Sequence, residues 1–376
     1  MKVPLFATTE ALEPLLPEIA ERQRAVLESG RYILGPEVEA FEREFATYLG
    51  AEHCVGVANG TEALTIALRA LGIGSGDEVV IPALTFYATA EAVVNAGARP
   101  VFCDIDPATY VMTAGTAEAA LSERTAALLP VHLFGNPAPV TELRQLAGGR
   151  SLALLEDAAQ AAGARLDGSM AGALGDAGGF SFFPSKNLGG FGDGGAIVTS
   201  SDEVASRARR LRLHGSDDKR THTEVGYNSR LDELQAAGLR VLLPHLDEWT
   251  RGRRAASDAY GKRGLGDLLD PPAETPGAES CWHLYVVRSP ERDSLREALA
   301  GAGIESRAYY TTPLHRQPAM AEYAAADPLP GTDQVAAEGL ALPMGPTLGT
   351  DAVSEVVEAV RAAVPGSGAS EAEGRA

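Results

Sequence analysis

Apolar and polar positions follow two rhythms along this chain. Residues 10–28 place Ile19, Val26 and Leu27 at roughly helical spacing among charged positions, and Gly30 ends that helix. Residues 36–49 predict a second helix, with Val38, Phe41, Phe45 and Leu49 along one face and Pro36 near its first turn. Short apolar runs then predict strands over 54–58, 78–82, 100–104, 126–131 and 151–156. Between them the pattern predicts helices, from Asn59-Gly60-Thr61 to about Leu71 and over 85–96, 116–122 and 140–147. Continuous apolar strands alternating with amphipathic helices imply an α/β fold, a mostly parallel sheet covered on both faces. Two further strands are expected at 180–183 and 196–199, and a helix at 202–213. A longer helical stretch starts near Arg230 and is interrupted around Pro244; its charge-rich second half suits a connector. After a turn-rich segment from Asp270 to Ala278, the spacing predicts a strand at 282–288, a helix at 291–300, a strand at 304–307 and a closing helix at 352–363. The chain therefore divides into a large domain over 1–245 and a smaller α+β domain over 246–365. Residues 366–376, rich in glycine, serine and charge, are expected to be a disordered tail.

Composition narrows the function classes. The 376 residues are 45% hydrophobic, enough for a sizeable core. A formal charge of −19, with no basic stripe, argues against a reader of nucleic-acid backbones. It leaves room for a small anionic ligand, because local dipoles can outweigh global charge. Cys54, Cys103 and Cys281 lie far apart without metal-ligand spacing, so no metal site is expected, and they fit a reducing cytosol. No apolar run approaches the length of a membrane span or a signal peptide. A cytoplasmic protein is the expectation.

One stretch concentrates the candidate chemistry. Lys186 stands between the apolar run 180–183 and a loop holding Gly189, Gly190, Gly192, Gly194 and Gly195. Desolvation lowers a lysine pKa, and a neutral amine can attack a carbonyl to form a Schiff base. Taken alone, Lys186 reads equally well as one more surface lysine. Gly60 and Thr61 open a helix after a strand, where free N–H groups and the dipole suit a phosphate; an ordinary N-cap explains them as well. Asp157 follows an apolar strand, where ligands bind in open parallel sheets. A buried carboxylate there needs a cationic partner, and a protonated pyridine nitrogen would serve; the alternative is that Glu156 or Asp157 caps the next turn. Gln160 follows shortly after. Phe86 sits at another strand end, placed to stack on a flat ring or to fill the core. Ser229 and Asp232 resemble a shortened capping box, which leaves Asn228 and Arg230 free to reach an anion. Residues 309–315 form a substrate lip or a proline-ordered loop. His132 and His214 read as structural.

In order along the chain, GRYILGPE (30–37), ANGTEAL (58–64), EDAAQ (156–160), SFFPSKNL (181–188), GDGGA (192–196) and NSRLDELQA (228–236) resemble the DegT/DnrJ/EryC1/StrS family. These are sugar aminotransferases that use pyridoxal phosphate on the fold-type-I, aspartate-aminotransferase-like scaffold. The resemblance runs from about Gly30 to Pro346. It implies a large domain with a mostly parallel seven-stranded sheet. Lys186 matches the family's Schiff-base lysine, Asp157 the acid facing the pyridine nitrogen, and Gln160 the residue near the ring hydroxyl. Phe86 matches the aromatic stacked on the ring, and Gly60, Thr61 and Ser181 match phosphate ligands. Asn228 matches a ligand donated by the neighbouring subunit, which implies a homodimer with shared sites. Tyr32, Tyr310 and His315 fall near where relatives hold the sugar nucleotide. The chain departs from many relatives at Ala162, where they carry histidine; that bears on the sugar end of the pocket.

The implied reaction passes an amino group from an amino acid, glutamate by resemblance, to a keto group of a nucleotide-linked deoxysugar. The stretch LPMGP (342–346) leans toward a dTDP-linked 3-keto sugar. A 4-keto sugar, a cyclitol and an aminobenzoate-type precursor remain alternatives. So does a non-catalytic regulator that retains the fold, although such a protein has no use for a proton-transferring lysine. The intact Lys186 argues against the family's dehydratases, and the scattered cysteines against its iron–sulfur branch.

Overall fold

The computed structural model describes residues 2–6, 8–324 and 327–364. Seven strands form the main sheet in the order His53–Val57, Gly195–Thr199, Ala177–Ser181, Ala153–Asp157, Thr125–Leu128, Glu78–Pro82 and Arg99–Cys103. The strands from Ala177–Ser181 to Arg99–Cys103 pair in parallel, and Gly195–Thr199 runs antiparallel to both of its neighbours. That single reversal restores the direction of His53–Val57. The carboxyl ends of His53–Val57, Glu78–Pro82, Ala153–Asp157 and Ala177–Ser181 therefore emerge along one edge, where a ligand meets an open α/β sheet.

The helix Gly60–Ala70 packs across the sheet and contacts Ala177–Ser181 closely. A Cβ on Gly179 would fall 2.6 Å from Leu64 Cδ2, so only glycine admits the helix at that distance. This moves the strand expected at 180–183 back to Ala177–Ser181. Glycines carry little strand propensity, and the pattern therefore favoured the phenylalanines that follow. The helix expected at 116–122 begins earlier, at Ala114, because Thr113 and Thr116 form a reciprocal capping box.

The helix Pro36–Leu49 has no side-chain cap of its own. Buried Glu233 supplies one from far along the chain, accepting hydrogen bonds from the backbone N–H groups of Gly35, Glu37 and Val38 at 2.8, 3.0 and 2.9 Å. Gly35 lets the carboxylate approach closely: a Cβ there would fall 2.7 Å from Glu233 Oε2, and the side chain would have to shift. The capping box expected from Ser229 and Asp232 is not formed. Asp232 occupies the N-cap position of Glu233–Leu242 without a side-chain bond, and buried Ser229 accepts from Ala58 N–H at 3.1 Å.

In the second half, helices Leu246–Lys262, Arg292–Gly301 and Thr350–Ala363 pack with Tyr285–Arg288 and Gly339–Leu342 around a separate hydrophobic cluster. Val3, from the start of the chain, inserts into that cluster. The strand expected at 304–307 is absent. Ile304 and Arg307 make only single bridges, to Val3 and to Ala341 of Gly339–Leu342. The tail expected over 366–376 lies outside the described residues. Among the described residues no helix is long and apolar enough to cross a membrane.

Candidate active site

Each strand end on the shared edge delivers one piece of a cavity of about 590 Å³. After His53–Val57, the Asn59 side chain caps the helix by accepting from Glu62 N–H at 2.9 Å. The cap leaves the N–H groups of Gly60 and Thr61 at the positive end of the helix dipole. Ser181, at the end of its own strand, presses against that turn; a Cβ on Gly60 would fall 2.7 Å from Ser181 Cβ. Glu78–Pro82 leads to Phe86, whose ring stays 55% exposed and lies 6.1 Å from that of Tyr310.

Ala153–Asp157 ends in two acids with different surroundings. Glu156 is fully buried and accepts from Gly172 N–H at 2.8 Å, Leu174 N–H at 2.7 Å and Gly175 N–H. His132 Nε2 lies 2.8 Å from its other face. Because Ala138 N–H donates to His132 Nδ1 at 3.0 Å, the ring proton sits on Nε2 and is given to Glu156. Asp157 is also buried, and it accepts only from Thr89 Oγ1 at 2.8 Å and Ala159 N–H at 3.1 Å. Burial raises its pKa, while those bonds and the charge of Lys186 oppose the rise.

Lys186 follows Phe182 and Phe183, its N–H bonded to Phe183 O at 2.8 Å. Its side chain remains partly accessible where it lines the cavity. The protein packed around it lowers its pKa to about 8 against the opposing pull of Asp157. Gln160 reaches over from the turn after Asp157. Its Oε1 accepts from Phe134 N–H at 2.8 Å, and its Nε2 donates to Tyr310 Oη at 3.2 Å. Tyr310 stacks on Phe134 with centroids 6.1 Å apart, and burial raises its pKa.

Gly60, Thr61, Phe86, Ser181, Lys186 and Tyr310 thus line one cavity, with Asp157 and Gln160 bonded into its wall. Tyr32, Asn228 and His315 are not among the lining residues. Tyr32 is 48% exposed and donates to Leu27 O at 3.2 Å. Asn228 is exposed and bonded to Arg230. His315 sits on the short turn Leu314–Arg316 with its ring 6.3 Å from that of Phe102. Tyr309, from the expected substrate lip, also lines the cavity, and so do His283, Glu62, Glu91 and Asp193, which sequence reasoning passed over. Each is an ordinary member of its local pattern, and only the convergence of distant segments gives it a place here. One trio of ligand-type groups, Glu52, His53 and Asp202, lies apart at the surface.

The donor set fits a phosphorylated pyridine aldehyde. Helix-end N–H groups and the Ser181 hydroxyl suit a phosphate. A buried carboxylate with spare acceptor capacity suits a ring N–H⁺. A lysine amine of lowered pKa suits the aldehyde.

The family model described as the DegT/DnrJ/EryC1/StrS aminotransferase family matches residues 15–361. A protein of Geobacillus stearothermophilus named pleiotropic regulatory protein is 44% identical over 96% of this chain and 98% of its own length. The dTDP-3-amino-3,4,6-trideoxy-alpha-D-glucose transaminase of Streptomyces venezuelae is 46% identical over 96% of each chain. A UDP-N-acetyl-3-dehydro-alpha-D-glucosamine 3-aminotransferase of Acidithiobacillus ferrooxidans is 42% identical over 97% of this chain and 98% of its own. Among solved structures, S. venezuelae DesV in complex with a ketimine intermediate superposes with a TM-score of 0.93 at 45% identity, covering 96% of this chain and 98% of that one.

Proposed function

The chain belongs to the DegT/DnrJ/EryC1/StrS aminotransferase family, and on that footing we propose that it moves an amino group from L-glutamate to the 3-keto carbon of a dTDP-linked deoxysugar. Pyridoxal 5′-phosphate, the cofactor of the family, supplies when bound an electron sink for the carbanion formed at the donor's α-carbon. The chain's own residues do the rest. The N–H groups of Gly60 and Thr61 and the Ser181 hydroxyl hold the phosphate. Asn228 of the partner subunit completes that cradle in a homodimer. Asp157 keeps a proton on the ring nitrogen. Gln160 has one Nε2 hydrogen committed to Tyr310 and offers the other to the ring hydroxyl. Phe86 covers one face of the ring. Lys186 Nζ would take the proton from the donor's α-carbon and hold it for return.

The observation that carries this reading is Lys186: a partly accessible amine with its pKa lowered to about 8, in the cavity that Gly60, Thr61 and Ser181 share. The dimer reading is supported by exposed Leu27, Tyr32, Ile33 and Val225, apolar surface that a second copy would cover. The 3-keto reading is supported by relatives named for 3-amino and 3-dehydro sugars. The dTDP reading is supported by the Streptomyces relative.

The test is an assay of the purified, cofactor-loaded protein with glutamate and three acceptors: a dTDP-linked 3-keto sugar, a dTDP-linked 4-keto sugar and a UDP-linked 3-keto sugar. Release of 2-oxoglutarate fastest with the first is the expected result. Preference for the second or third corrects the carbon or the nucleotide. No turnover with any of them rejects the substrate class.

A further inference from the structure

His283 lines the cavity and has no part in the chemistry above, although one hydrogen bond links it to the neighbour of the reactive lysine. The side chain of Asn187, the residue after Lys186, is held at both ends. Its Nδ2 donates to Cys281 O at 3.0 Å, which turns its Oδ1 toward His283 Nδ1 at 3.2 Å. An amide oxygen only accepts, so the ring proton sits on His283 Nδ1. The second ring nitrogen, Nε2, is then a bare lone pair.

The backbone behind the ring is fixed as well. Buried Arg253 donates from one nitrogen to Trp282 O at 3.0 Å and to His283 O at 3.5 Å. Burial and the charges of Lys186 and Arg253 all disfavour a proton on this imidazole and push its pKa well below the usual range. His283 is therefore a neutral acceptor. Among the described residues the only side-chain hydrogen bond of the ring is the one at Nδ1, which leaves Nε2 without a partner. His283, 4% exposed, lines the cavity together with Lys186, Tyr309 and Tyr310.

A lone pair in that place selects for a hydrogen-bond donor. We propose that His283 Nε2 accepts a hydrogen bond from a substrate hydroxyl on a carbon adjoining the one that receives the amine, and so discriminates against sugars deoxygenated there. This rests on the reading of the substrate as a keto-sugar nucleotide. Asn187 acts through His283 as a positioning residue, holding the ring in the tautomer that accepts. A site built to bond a hydroxyl rejects the analogue that lacks it, because its own polar atom is left unpaired.

The experiment is calorimetric binding to the cofactor-loaded protein. The probes are three dTDP-linked 3-aminohexoses: one hydroxylated at C2 and C4, one deoxygenated at C2 and one deoxygenated at C4. Wild type is expected to bind one deoxy probe about tenfold more weakly than the hydroxylated one. His283→Phe is expected to bind all three within about threefold. His283→Gln, whose amide oxygen can stand where Nε2 stood, restores the discrimination.

Wild type that binds all three probes alike overturns the inference and leaves the substrate reading standing; this arm needs no variant to fold. Discrimination retained in a folded His283→Phe overturns it too. Wild type that binds none of the three rejects the substrate reading and this inference together.

Discussion

Glu156 and Asp157 are adjacent on one strand, and their side chains leave opposite faces of the sheet. Both are buried carboxyls at the same strand end. Glu156 meets three backbone N–H groups and a histidine N–H from its own chain, which fills its acceptor capacity. Asp157 meets one hydroxyl and one N–H and keeps lone pairs in reserve beside a lysine. A buried acid saturated by its own fold locks a loop, here 172–175. A buried acid left partly unsatisfied can accept a further donor, as the proposed ring N–H⁺ would be. Burial alone would not separate the two, and neither would their type or position in the sequence.

The sharpest break of this contrast comes from the cavity side. Lys186→Ala is expected to lower turnover by about 10⁴-fold and to abolish the visible absorbance of the cofactor-loaded protein, with the melting temperature nearly unchanged. A coloured, active Lys186→Ala protein would remove the ligand face from the comparison.

Asp157→Asn should follow, with turnover down about 10³-fold and stability within about 1 kcal/mol of wild type. The same change on the other face reverses the pattern. Glu156→Gln is expected to lose about 3 kcal/mol of stability, measured by urea denaturation, because an amide cannot accept all four donors. If the two variants lose stability equally, the division between a locking acid and a waiting one fails. Glu233→Ala tests a second saturated carboxyl. It leaves three N–H groups at the start of Pro36–Leu49 unpaired, for an expected loss of about 2 kcal/mol.

A pH dependence tests the lysine itself. The folded pKa of Lys186, about 8, lies below its unfolded value of about 10.4. Between these values the unfolded chain binds more protons, so this group makes stability rise as pH climbs from 8 toward 10.4. Below pH 8 both states are protonated and the contribution is flat. Urea titrations of the cofactor-free protein at pH 8 and 10 should show that rise, and Lys186→Met should lose it.

The pieces of the site that were legible in the sequence are local. Asn59-Gly60-Thr61 after one strand, Asp157 after another and Lys186 after a third each carry their meaning within a few residues, and the parallel alternation brings those strand ends to one edge. Pieces made by distant segments were hidden. Nothing near Glu233 announces that it caps a helix beginning at Pro36. The Gly339–Leu342 strand is too short to stand out, and of the strand expected at 304–307 only Ile304 and Arg307 make bridges. Nothing beside His283 shows that Asn187 sets its tautomer. Tyr32 and Asn228 lie on exposed surface, away from the residues that line the cavity.

The cap that Glu233 places on Pro36–Leu49 also sets an order of events during synthesis. Gly35 and Glu233 are separated by 198 positions. At usual elongation rates the ribosome needs about 10–40 s to cover that distance. Until then the helix start lacks this cap. The amino-terminal helices must wait beside the nascent chain, exposed to chaperones, and they close only when more than half of the polypeptide has emerged.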